Sequence, residues 1–181
     1  MSATGSKLTY NDLLAWPDDQ MRHELIDGEH FMSPSPLVRH QRISARLHSA
    51  LERWAADHGA GEVLYAPTDV IFSPTNVVVP DLLFVSAARA AIIGEKNIQG
   101  APNLLVEILS SSTRDLDLGT KLRLYRRCGV REYWIVDPDA NTVTVHRLDQ
   151  AGAQSQILTA AGTITSPVLP GLSLPLAAIL K

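Results

Sequence analysis

The chain has 181 residues, 45% of them hydrophobic and 19% charged, a globular usage that excludes disorder as the main state. Sixteen Lys and Arg against 19 Asp and Glu leave a net charge of -3, which excludes a protein that coats nucleic acid by charge alone. A single cysteine, Cys128, excludes an internal disulfide framework and a multi-cysteine zinc site, and fits a reducing cytoplasm.

In chain order, the first ten residues are polar and lack the apolar core of a signal peptide; residues 1–7 read as a flexible tail. Residues 8–16 predict a short helix stopped by Pro17. Asp27-Gly28 between the runs 23–26 and 29–32 predicts a β-hairpin, and Ser33-Pro34-Ser35-Pro36 breaks the chain after it. Residues 37–58 turn helical: His40, Ile43, Leu47, Leu51 and Trp54 step by three or four and share one face. Residues 62–66, 69–72 and 77–85 predict strands, the last interrupted by Pro80, and 87–93 a helix. Residues 104–109 form an apolar strand with one acid. The polar loop 110–113 caps a helix reaching about Arg127, with Gly129 as its stop. Strands at 132–136 and 142–148 flank a turn at 137–141, and a weak strand and tail follow. This order predicts one α/β domain over residues 1–181, built around one sheet. No apolar run is long enough to span a bilayer, so no membrane partner is expected.

Three charged residues stand where charge is costly. Asp81 interrupts the apolar run 77–85, and Glu107 interrupts 104–109. By strand alternation Asp81 shares a face with Leu83 and Val85, and Glu107 with Leu105 and Leu109, so neighbouring strands would bring the two acids together. Lys121 falls in the helical stripe of Leu118, Leu122, Tyr125 and Cys128, with Arg123, Arg126 and Arg127 on the other side. Two readings stand side by side. The trio is a core ion network, or it is a site in which the carboxylates hold a hard divalent cation such as Mg²⁺ and the lysine serves a water or a developing charge. His40 reads as a core-edge histidine, Tyr133 and Trp134 as core, and Cys128 as buried and inert.

Pro80-Asp81, 25 intervening residues and Glu107-Ile108-Leu109 resemble the motif of the PD-(D/E)XK nuclease superfamily, except that Leu109 stands where the plain motif has lysine. His23 to Glu29, Val79-Pro80-Asp81, Val106 to Ser110, Ser112-Thr113-Arg114, Lys121 and Gly129 to Asp137, in that order, resemble the Uma-two family of restriction-endonuclease-like proteins over nearly the whole chain. The resemblance implies a restriction-endonuclease-like fold: a mixed sheet flanked by helices, with added N-terminal and C-terminal hairpins. It implies Asp81, Glu107 and the Ile108 carbonyl as ligands of Mg²⁺ or Mn²⁺, Lys121 as the displaced catalytic lysine, and Glu24 as an upstream acid of the site. The expected activity is hydrolysis of nucleic-acid phosphodiesters, with DNA as partner and a homodimer as the working form. The alternative is a nuclease-fold module that binds nucleic acid or protein without cutting. Residues 114–131 hold six basic and two acidic residues, which leaves room for a basic helix beside an acidic, metal-filled cleft.

Overall fold

A computed structural model describes residues 7–17, 19, 21–149 and 154–181. The predicted tail lies largely outside the described residues, since only its last residue, Lys7, is among them. The first helix, α1 (Tyr10–Leu14), is shorter than expected; its start is fixed at Thr9, whose N–H and hydroxyl both donate to the Asp12 carboxylate at 2.7 Å. The hairpin forms as β1 (Arg22–Ile26) and β2 (Glu29–Ser33). Asp27 and Gly28 take φ of 55° and 79°, the two positive values that a type I′ turn requires. A Cβ on Gly28 would also stand 2.5 Å from Lys7 Cβ, so the sequence has glycine there for two reasons.

The long helix α2 (Val38–His58) buries His40, Ile43, Leu47, Leu51 and Trp54, the predicted stripe, and ends at Gly59 in the left-handed conformation. Strands β3 (Gly61–Tyr65) and β4 (Val70–Ser73) follow. The run predicted as one interrupted strand at 77–85 is two strands, β5 (Asn76–Val78) and β6 (Leu82–Ser86), in different sheets. Pro80 has no N–H for a ladder, so pairing stops there and the chain changes sheet. A 3-10 turn (Ala87–Ile92) replaces the helix expected at 87–93, and β7 (Ile98–Gln99) and β8 (Leu104–Ile108) follow.

After β8 the chain makes a π-helical turn (Leu116–Lys121) that runs into α3 (Leu122–Arg127). Then come β9 (Glu132–Asp137), β10 (Thr142–Arg147), β11 (Gln154–Thr159), the short pair β12 (Thr163–Ile164) and β13 (Leu174–Pro175), and α4 (Leu176–Ile179).

The expected α/β fold with a mixed sheet flanked by helices is present. The single sheet is replaced by two main ones, ordered β2-β1-β5-β4-β7 and β11-β10-β9-β8-β6-β3. The predicted hairpins are therefore built into the sheets: β1–β2 edges the smaller, and β9–β10, extended by β11, closes one side of the larger. Parallel pairing occurs at β8–β9, joined through α3, and at β4–β7. Side-chain alternation gives the larger sheet two buried faces. Leu82, Phe84, Val106, Trp134 and Val136 pack against α2 and the C-terminal segment. Leu83, Val85, Leu105, Tyr133 and Ile135 pack against α3 and against Val70, Val78 and Ile98 of the smaller sheet. Tyr133 and Trp134 are core residues, one on each face.

Candidate active site

Strands β6 and β8 are antiparallel neighbours, with Leu82 opposite Val106. One step further along the same register, Asp81 stands opposite Glu107. Both are buried, Glu107 against Lys121 and Tyr125 and Asp81 against His40 of α2. The pairing of neighbouring strands on which the alternation argument depends is present. The carboxylates are nonetheless in different states. Burial alone would raise Asp81, but the His40 hydrogen bond and charge, the Arg22 charge and the Ile108 N–H outweigh it and hold the carboxyl below its ordinary value. The contacts are His40 Nε2 to Oδ2 at 3.0 Å, Arg22 to Oδ1 at 2.9 Å and the Ile108 N–H to Oδ2 at 2.8 Å. Glu107 is pushed well above its ordinary value, first by burial and then by the charges of Asp117, Asp81 and Glu24, against the pull of Lys121.

Lys121 is enclosed by three carboxylates: Glu24 and Glu107 at 2.9 Å and Asp117 at 3.3 Å. Burial would lower the ammonium, but the charges of Glu107, Glu24 and Asp117 win and hold it well above its ordinary value. Glu24 also accepts the Val79 N–H at 2.8 Å, and Glu107 accepts the Tyr125 hydroxyl at 2.9 Å. The structure thus brings Glu24, Asp81, Glu107, Ile108 and Lys121 into one cluster. Asp117 joins it from four residues before Lys121, in a turn that is π-helical, with i to i+5 bonding. The same turn leaves Leu118, predicted inward, 42% exposed.

Two cavities open beside Asp81. One of about 410 Å³ is lined by Arg22, His40, Gln41, Ser44, Tyr65 and Asp81 among others. The second, about 200 Å³, lies between the 33–37 and 110–112 segments and shares Arg22 and His40. Lys121, Arg123, Arg126 and Arg127 line neither. Sequence reasoning missed Arg22 and Asp117 and gave His40 a bland role. The one signal for Arg22 was its place two residues before Glu24, on the same face of β1.

The cation implied by the resemblance finds suitable donors, since Glu24, Asp81 and Glu107 offer the oxygen ligands that hard divalent ions prefer. Among the described residues, the four buried carboxyls, counting Asp117, meet only Lys121 and Arg22 as fixed positive charges, an excess of acid that fits an added cation. Among the described residues, no three His, Cys, Asp or Glu side chains are arranged to hold a metal ion as they stand. The two basic side chains occupy the acid oxygens instead.

A family model described as "putative restriction endonuclease" matches residues 10–177. An uncharacterized protein of Synechocystis sp. is 33% identical over 128 residues, 68% of this chain; the chain spans 65% of that relative's length. The crystal structure of a protein from Anabaena variabilis, titled a putative nuclease belonging to DUF820, superposes with a TM-score of 0.81 at 20% identity, covering 96% of this chain and 97% of that one. No described helix is long and apolar enough to cross a membrane. With the family model spanning both hairpins, the opposed acids and the lysine cluster, the chain belongs to the Uma2 family.

Proposed function

We propose that this protein is a metal-dependent endonuclease hydrolysing phosphodiester bonds, with Mg²⁺ or Mn²⁺ as cofactor and DNA as substrate. One observation carries the reading: the β6–β8 register sets two buried carboxylates opposite one another, and Asp81 opens on a cavity of about 410 Å³. Asp81, Glu107 and Glu24 would hold the ion, with the Ile108 backbone beside them. Bound there, the ion supplies Lewis-acid polarisation of a phosphate oxygen and a more acidic water. Asp81 is kept ionised by His40 and the Ile108 N–H, so it is ready as a ligand. Lys121 remains an ammonium, so it is no base; its part is to position Glu24 and Glu107 and neutralise their charge. The choice of DNA over RNA, and of paired chains over single ones, follows the family resemblance alone.

One observation favours the second reading, a module that binds nucleic acid without cutting it. Each acid of the cluster already has a basic partner within the chain. Plasmid, single-stranded DNA and RNA incubated with Mn²⁺, Mg²⁺ or chelator separate the two. The expected result is metal-dependent cleavage that falls about a hundredfold or more in Asp81→Asn and Glu107→Gln. Cleavage that survives Asp81→Asn removes the proposal, and binding without cleavage supports the module.

A further inference from the structure

We infer that Arg22 takes the cation's place at the acid pair in the metal-free chain and, once displaced, holds a backbone phosphate of the substrate in the serine-lined cavity. The inference rests on the metal-dependent reading above.

Arg22 and Lys121 are both cations among acids, but they are built differently. Lys121 is sealed in, with three acid partners. Arg22 keeps 24% of its side chain exposed and has, among the described residues, one ion-pair partner, Asp81. Its Nε is buried without a hydrogen-bond partner among the described residues, so the fork of five donors is poorly used in this position. Yet the guanidinium feels the whole acid set. Burial would lower it, and the charges of Asp81, Glu107 and Glu24 raise it. Of the three acids assigned to the ion, Arg22 touches Asp81 at 2.9 Å, so a cation that takes Asp81 Oδ1 must displace it. A divalent ion brings twice the charge and oxygen-seeking coordination, so it can displace one guanidinium from Asp81 Oδ1.

The released side chain has a place to go. Arg22 already lines the cavity of about 200 Å³, whose other polar lining is His40 and the hydroxyls of Ser33, Ser35, Ser110, Ser111 and Ser112. Among the described residues no Asp or Glu lines it, although the neighbouring cavity contains Asp81. A pocket of hydroxyl donors with an arginine and a histidine, free of acids and one side chain from the metal ligands, matches a phosphodiester anion. Arginine suits both positions, because carboxylate and phosphate present similar oxygen pairs to its fork. Metal and phosphate then assist each other's binding, and the coupling is reciprocal.

The test uses the full chain. Calorimetric titration with Mn²⁺ alone should show Arg22→Gln binding roughly tenfold tighter than wild type, the value of one charge-assisted contact no longer displaced. Short oligothymidylate, titrated in Ca²⁺, should bind Arg22→Gln roughly tenfold more weakly. The paired change Ser35→Ala/Ser111→Ala, both exposed positions, should weaken oligothymidylate and leave the Mn²⁺ affinity unchanged. Circular dichroism checks that each variant is folded. Equal Mn²⁺ affinity in wild type and Arg22→Gln overturns the inference while leaving the metal-dependent reading intact. If wild type and variant both fail to bind Mn²⁺, the two fall together. Oligothymidylate affinity unchanged in both the Arg22 and serine variants overturns the phosphate half.

Discussion

Lys121 is the shared partner of three buried acids. Removing it leaves Glu24, Glu107 and Asp117 buried together without their shared cation. Breaking a buried ion cluster from one side costs about 3–5 kcal/mol. Lys121→Met should lower the stability read by urea unfolding by that amount in chelator, and added Mn²⁺ should restore part of it if the acids then take the ion. Asp81 and Glu107 were legible in the sequence because each is a charge inside an apolar run. Arg22 and His40 were not. Their partner Asp81 is 59 and 41 residues away, and beyond the place of Arg22 on the face of Glu24 nothing local marks either as reaching it.

At the scale of elements, periodicity was legible where geometry was regular. The stripe of α2 came out as read, and so did the Asp27-Gly28 turn. The helix after β8 came out only in part, because it contains a π-helical turn: Lys121 is buried as read, but Asp117 is buried and Leu118 exposed. The end of β9 makes a further prediction. Asp137 accepts Arg114 at 2.7 Å and the backbone N–H groups of Asp139 and Ala140 at 3.0 Å. Burial works against its charge, but these contacts outweigh it and hold the carboxyl below its ordinary value. A depressed carboxyl stabilises the fold above its unfolded value and loses that contribution as pH falls through the folded one, so the window lies below about pH 4. Asp137→Asn should therefore unfold at lower urea than wild type at pH 7, with the difference shrinking as the pH is taken down towards 3.

Across the whole molecule, the charge reads differently once partners are known. The six basic residues of 114–131 leave room for a basic helix beside the cleft. Arg114 pairs with Asp137, Arg127 with Asp27, Arg131 with Asp149, and Lys121 is caged. Among the described residues that leaves Arg123 and Arg126 outside ion pairs, so the basic segment ties elements together more than it offers a phosphate track. The two-sheet arrangement was hidden for a related reason: Pro80 looked like a flaw in one strand, and only pairing partners distant in sequence show that it divides two.

That division bears on how the protein fails under heat. Glu24 belongs to the smaller sheet, Glu107 to the larger, and Asp81 to the link between them. The smaller sheet is held by strands as short as β5 and β7, of three and two residues, whereas the larger has two packed faces. Short, lightly paired units open first in native-state hydrogen exchange. Amides of β1 and β5 should exchange well before those of β8 and β9. Metal binding, followed with rising temperature, should then disappear several degrees below the loss of far-ultraviolet dichroism, and simultaneous loss would show that the two sheets open as one unit.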